Sequence, residues 1–275
     1  MAEGTLGRIR EFGARNARKL GPAVSGPFLK RPKMVKLEET FPPRFHGVSR
    51  SETGNGKRLL PHVSVHLLPD RLYVNLTLSF ILHIRDVSLE YMRLSSKMAR
   101  DIVEILLSKL GVEAHESIIE RIIGLKTVNM NYYPACPNPE LTVGVGRHSD
   151  IGTITVLLQD GIGGLYVKLE DDNPQWLHIP PIPGALVINI GDTLQILSNG
   201  KYKSPEHRVK TTSSQSRVSV PVFLLPIPTE KIGPLAEVVK KDGLAHYKEV
   251  LVKDYMNNFF ASVHLGKKSL DFARI

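Results

Sequence analysis

The chain has 275 residues, of which 42% are hydrophobic and 23% charged, with a formal net charge of +9 and a single cysteine. That is the composition of a soluble globular protein, long enough for one large domain with an appendage and a substantial core. The lone Cys136 excludes an intrachain disulfide and any cysteine-rich metal site, and fits a reducing, cytoplasmic setting.

Residues 1–85 read as a divergent basic segment, partly disordered. Positions 1–60 hold 13 Lys or Arg against 5 Asp or Glu, and blocks of like charge are usually solvated. The basic residues are scattered and carry no zinc-finger or RNA-binding motif, so no nucleic acid is expected. The start, Met1 to Arg8, lacks the apolar run of a secretory signal. The apolar stretch at 72–84 is too short to span a bilayer and is broken by Asn75, Thr77 and Ser79, so no membrane is expected either.

Residues 86–124 form a helical segment. Met92, Met98, Ile102, Ile105, Leu106 and Leu110 recur at steps near three and four, which marks an amphipathic helix capped by Gly111. A short helix follows over Glu116–Ile123 and ends at Gly124. From 125 to 226 the texture is β. Runs rich in Val, Ile, Leu and Thr cover Thr153–Leu158, Leu165–Leu169, Gln175–Ile179, Ala185–Ile190, Thr193–Leu197, His207–Lys210 and Arg217–Leu225. Short strands at such spacing indicate a sandwich or barrel. Residues 227–275 form a helical extension, with a closing helix over His246–Val263 whose apolar side carries Tyr247, Val250, Leu251, Tyr255, Phe259 and Phe260.

The chemistry lies in the β segment. His148-Ser149-Asp150 with the later His207 offers two imidazoles and one carboxylate, the ligand set of the facial triad of non-haem Fe(II) oxygenases. Three protein ligands and an open position also suit catalytic zinc, so ligand type leaves the metal open. Alternate strand residues share a face, so one strand could present both His148 and Asp150. Arg217 and Ser219 repeat that spacing and offer a guanidinium and a hydroxyl to a carboxylate. The apolar residues around Arg217 place it in a buried strand, where its charge demands an anionic partner. A hairpin through 211–216 is expected to pair Val209 with Arg217 and His207 with Ser219, bringing ligand and clamp together on adjacent antiparallel strands.

Several motifs together resemble the plant soluble 2-oxoglutarate-dependent dioxygenases. They are Asn131-Tyr132-Tyr133-Pro134, Gly146-Arg147-His148-Ser149-Asp150, Gly163-Gly164-Leu165, Asn189-Ile190-Gly191-Asp192, Ser198-Asn199-Gly200 and His207-Arg208-Val209. The stretch from about Val128 to Ile275 matches without interruption. Ser198 to Ser204 and Gly266 to Phe272 are similar to the feruloyl-CoA ortho-hydroxylases, and equally to the benzoxazinoid-glucoside dioxygenases.

The resemblance implies a double-stranded β-helix, or jelly roll, that binds Fe(II) through His148, Asp150 and His207. It implies that Arg217 and Ser219 hold the 2-oxoglutarate co-substrate, that Tyr133 and Asn131 also contact it, and that Phe223 faces an aromatic substrate. The implied reaction is hydroxylation of a phenolic or other aromatic specialised metabolite by a monomeric enzyme. O2 is consumed, succinate and CO2 are released, and ascorbate is a candidate reductant. Proteins of this kind begin with an α/β portion that is not recognisable in residues 1–85, which suggests a truncated or rearranged product. The alternative is therefore a catalytically silent jelly-roll metal-binding protein.

Overall fold

The computed structural model describes residues 58–59, 63–68, 71–72, 78–169, 174–261 and 267–275, with side chains from residue 87 onward. The expectations for residues 1–57, and that of a truncated or rearranged product, lie outside these residues. Short strands β1 (Arg58–Leu59), β2 (Val63–Leu68) and β3 (Arg71–Leu72) precede a 33-residue helix α1 (Leu78–Leu110). Part of the segment read as divergent therefore joins the fold, and α1 begins earlier than the expected 86. Met92, Ala99, Val103, Leu107 and Leu110 form its buried stripe, while Ile105 is 60% exposed. The expected period was right, but Ile105 falls outside the stripe: steps of seven and four from Met92 reach Ala99 and then Val103. Gly111 ends the helix at φ +80°, a left-handed conformation that costs glycine little. Helix α2 (Glu116–Ile123) has the expected bounds.

Eleven further strands and bridging helices follow among the described residues. The first seven strands are β4 (Leu125–Tyr133), β5 (Thr142–Val143), β6 (Val145–His148), β7 (Ile154–Gln159), β8 (Leu165–Lys168), β9 (Trp176–Ile179) and β10 (Val187–Ile190). Helix α3 (Asp192–Leu197), β11 (His207–Val209), β12 (Arg217–Leu225) and β13 (Lys231–Ile232) come next. Helix α4 (Ala236–Asp242), β14 (Val250–Leu251) and α5 (Val252–Ala261) close the chain.

Two main sheets result. The larger has the order β10-β7-β12-β4-β2-β3 and the smaller β6-β11-β8-β9. Tyr133, Leu165 and Val209 pack together with Val145, Leu157, Ile179 and Val187, which places the two sheets face to face as a jelly roll.

The alternation of each strand in the larger sheet separates two environments. Val128, Met130, Ile154, Val156, Leu158, Val218, Val220, Val222 and Leu224 point outward into the core beneath α1 and α2. Each such buried aliphatic side chain contributes about 1.5–3 kcal/mol. The opposite residues, among them Thr155, Gln159, Asn131, Tyr133, Arg217, Ser219 and Phe223, face the smaller sheet. The outer face holds the sheet against its helices, and the inner face carries the polar chemistry.

Three local expectations need correction. Residues 193–197 are helical, within α3, and not a strand. A short apolar run carries no period long enough to tell strand from buried helix, and tertiary contacts decide it: the Asp192 amide donates to the Asp150 carbonyl at 2.7 Å and the Thr193 amide to the Gly152 carbonyl at 3.1 Å. Gly191 lets these segments meet, since a Cβ there would lie 2.0 Å from the Gly152 carbonyl oxygen. The closing helix begins at Val252 and not at His246, and it is described as far as Ala261; the expected end at Val263 lies outside the described residues. Val250 and Leu251 instead pair with Ile232 and Lys231, and Tyr247 bridges Arg274. Lastly, β11 and β12 do not form a hairpin: β11 pairs with β6 and β8, whereas β12 pairs with β4 and β7. The loop at 211–216 crosses from one sheet to the other.

Candidate active site

His148 ends β6 and His207 begins β11, and the two are directly paired across antiparallel strands. Their ring centroids lie 4.3 Å apart. Asp150 is not on the strand with His148, as the spacing had suggested, but in the loop beyond it. Its Oδ1 lies 3.8 Å from His148 Nε2 and 3.4 Å from His207 Nε2. One ligand atom from each of the three residues falls within 4.8 Å of the other two, among the described residues the one group of His, Cys and carboxylate side chains placed to hold a metal ion.

Each ligand is oriented from behind. His148 Nδ1 donates to the Gly146 carbonyl at 2.8 Å and His207 Nδ1 to the Pro205 carbonyl at 3.1 Å. A ring that donates from Nδ1 leaves Nε2 as the free acceptor, which is the tautomer a metal requires. Asp150 Oδ2 accepts from Thr155 Oγ1 at 2.6 Å and from Asn189 Nδ2 at 2.8 Å, leaving Oδ1 toward the histidines. Thr155 lies on β7 and Asn189 on β10, in register with each other, so the larger sheet steers a ligand that completes a site on the smaller one. Sequence reasoning did not single out these two residues; the Asn189-Ile190-Gly191-Asp192 motif was the available signal.

Burial and mutual charge tune the triad. Burial lowers the His148 pKa to about 4, helped by the neighbouring His207 charge. Burial also works against ionised Asp150, but His207 and His148 prevail and hold that carboxyl well below its usual range. Burial opposes the charge on His207, while Asp150 and the Pro205 carbonyl raise its pKa overall. The site is a carboxylate shared by two imidazoles, one of them already neutral.

Arg217 begins β12 and is 1% exposed, with Tyr133 and Ser219 each 2% exposed. Arg217 pairs with Tyr133, and Ser219 with both Asn131 and Gln159. The guanidinium lies 5.2 Å from the Tyr133 ring centroid, and its Nη2 donates to Gln159 Oε1 at 3.2 Å. Its Nε and Nη1 are buried without a hydrogen-bond partner. Burial raises the Tyr133 pKa, against the pull of Arg217 and Ser219, so its phenol stays a neutral donor. A buried guanidinium with two unused donors, beside two hydroxyls, is a complement to a carboxylate. Phe223 shares this inner face, in register with Thr155 and Thr127. The structure thus gathers all eight sequence-derived residues at the interior of the jelly roll, with Arg217 on a different sheet from His207.

A second buried carboxyl stands behind the metal loop. Asp192 Oδ2 accepts from Ser149 Oγ at 3.1 Å, Tyr255 Oη at 2.8 Å and Ser269 Oγ at 3.0 Å. Burial raises its pKa despite these hydroxyls. Asp192 ties α5 and the segment Lys267–Phe272 to the residue between His148 and Asp150.

Comparison with known proteins agrees with this geometry. Residues 126–226 match the 2OG-Fe(II) oxygenase superfamily. Over 190 residues the chain is 66% identical to scopoletin 8-hydroxylase from Arabidopsis thaliana, covering 69% of this chain and 53% of that protein. Over 192 residues it is 52% identical to a feruloyl CoA ortho-hydroxylase from Ipomoea batatas, covering 70% of this chain and 53% of the other. The chain spans about half the length of the curated relatives it matches. Among solved structures, JOX2 in complex with 2OG, Fe and JA superposes with a TM-score of 0.67 at 34% identity, over 78% of this chain and 64% of that one. The rice dioxygenase for auxin oxidation shares the fold, with a TM-score of 0.66 at 23% identity over 82% of this chain and 78% of that one.

Proposed function

We propose that this chain, which carries a 2OG-Fe(II) oxygenase domain over residues 126–226, is an Fe(II)- and 2-oxoglutarate-dependent oxygenase that hydroxylates a phenolic or other aromatic specialised metabolite. The observation that carries the reading is the combination of three convergent ligands with the unsatisfied Nε and Nη1 of buried Arg217 on the same interior surface. A zinc hydrolase has no use for that guanidinium.

In this reading His148, Asp150 and His207 hold Fe(II) through Nε2, Oδ1 and Nε2. Arg217 and Ser219 hold the distal carboxylate of 2-oxoglutarate, and Tyr133 and Asn131 steady it. Phe223 presents an aromatic face to the substrate. When bound, the iron supplies activation of O2, with decarboxylation of 2-oxoglutarate to succinate and CO2. The protein fixes the ligands, orients the substrate against them and excludes water. A catalytically silent role finds no support in the matched oxygenase domain or in relatives named as hydroxylases. The similarity to scopoletin 8-hydroxylase and to feruloyl CoA ortho-hydroxylases favours a hydroxycoumarin or a hydroxycinnamoyl thioester.

The reading extends to a monomer in the cytoplasm, consistent with its single cysteine, with ascorbate as reductant and neither nucleic acid nor membrane as partner. It divides the chain at 85, 124 and 226. Size-exclusion chromatography and cell fractionation test the first two statements. The enzymatic claim is tested by succinate release from labelled 2-oxoglutarate, with Fe(II) and ascorbate, in the presence of hydroxycoumarins and hydroxycinnamoyl-CoA. Stimulation of succinate release by a phenolic, with a hydroxylated product, is the expected result. Absence of turnover in protein that binds neither Fe(II) nor 2-oxoglutarate refutes it.

A further inference from the structure

We propose that Asn129 recognises a free hydroxyl group on the aromatic substrate through its side-chain carbonyl. The proposal rests on the oxygenase reading above and deepens it by naming what the substrate must carry. On β4 the outward residues Val128 and Met130 enter the core under α1, so the alternation turns Asn129 toward the interior with Asn131 and Tyr133. The pairings of Asn131 with Ser219 and of Thr127 with Phe223 bracket Asn129 and set it across from Pro221. Pro221 in turn pairs with Leu157, and Leu157 with Val187. Asn129 therefore follows the apolar residues Val187, Leu157 and Pro221 in one cross-strand row, with His66 of β2 paired on its other side.

The rows on either side define where this amide stands. One contains Asn189, Thr155, Phe223 and Thr127, and its first two residues hold Asp150. The other contains Gln159, Ser219 and Asn131, next to Arg217. Asn129 thus lies between the metal-facing end and the carboxylate-binding end, beside the aromatic Phe223.

Asn129 Oδ1 is buried without a hydrogen-bond partner. A buried acceptor left unmade bears the full desolvation cost of that group, so an explanation is required. Its complement is a donor. The 2-oxoglutarate carboxylates at neutral pH are acceptors only, and the cationic Arg217 already suits one of them, so the co-substrate does not satisfy Asn129. A phenol does: its flat apolar ring fits against Leu157, Pro221 and Phe223, and its O–H donates to Oδ1. Sites that hydrogen-bond a substrate hydroxyl discriminate strongly against analogues lacking it, because the buried protein group is then left unpaired.

The test uses the full chain loaded with Co(II) and 2-oxoglutarate without oxygen. Binding of scopoletin, and of its O-methyl ether, is followed by coumarin fluorescence. Wild type is expected to bind the free phenol about tenfold or more tightly than the ether. Asn129→Val should bring the two affinities within about twofold of each other, mainly by weakening the phenol, while Asn129→Asp, which keeps an acceptor oxygen, restores the preference. Asn129→Ala carries the same readout if the valine variant does not fold. Metal and 2-oxoglutarate affinities are measured in the same samples. A wild type that treats phenol and ether alike, or an Asn129→Val or Asn129→Ala protein that keeps the wild-type preference, overturns the assignment while leaving the oxygenase reading intact. Loss of 2-oxoglutarate binding by wild type overturns both.

Discussion

Replacing Arg217 by Met separates a carboxylate clamp from an ordinary structural arginine. In the ligand-free protein the guanidinium is 1% exposed and two of its nitrogens lack partners. Those unmade bonds cost about 1–3 kcal/mol, and the single bond to Gln159 Oε1, at 3.2 Å, returns a similar about 1.5–3 kcal/mol. Methionine removes both, fills much of the volume and should leave ligand-free stability within about 2 kcal/mol of wild type. Binding behaves differently. At a hundred times its dissociation constant, 2-oxoglutarate should stabilise wild type by about 2.7 kcal/mol. Loss of a buried charge partner costs about 3–5 kcal/mol, enough to abolish that stabilisation at the same concentration. The assay is thermal unfolding of Mn(II)-loaded protein with and without 2-oxoglutarate, with Mn(II) affinity as the control. If 2-oxoglutarate stabilised Arg217→Met as much as wild type, the clamp would be wrong even with the triad intact. If Arg217→Met collapsed without ligand, the arginine would be structural.

Removing any of the three ligands, by His148→Ala, Asp150→Ala or His207→Ala, is expected to abolish turnover and metal binding, read by equilibrium dialysis against Co(II); one variant with wild-type affinity would remove that residue from the site. Thr155→Val, which deletes one of the two donors to Asp150 Oδ2, should weaken Co(II) affinity by about 10- to 100-fold while Thr155→Ser retains it. Metal binding should also release protons near neutral pH. The His207 pKa is raised in the metal-free protein, so its imidazolium competes with the metal below that value and affinity falls on acidification; His148, held at about 4, is already neutral and contributes nothing there. Calorimetric titration in two buffers of different ionisation enthalpy measures this, and absence of proton release at the ordinary imidazole pKa of about 6.5 would contradict it.

The sequence by itself determined the identity of the three ligands, the Arg217 and Ser219 spacing, the bounds of β12 and α2, and the succession of short strands. Those features are local: alternation, period and residue chemistry are properties of a few neighbouring positions. It could not determine which strand lies beside which. Alternation tells which face Arg217 occupies, but only the crossover at 211–216 decided that β12 joins β4 and β7 instead of β11. The same limit hid the support of Asp150. That residue leaves the strand after His148, and Thr155 and Asn189 hold it from β7 and β10. The run 193–197 became a helix because its first amides are satisfied by the metal loop, a contact that only close approach at Gly191 permits. Side-chain chemistry is written along the chain, whereas partners are chosen by packing between segments far apart in sequence.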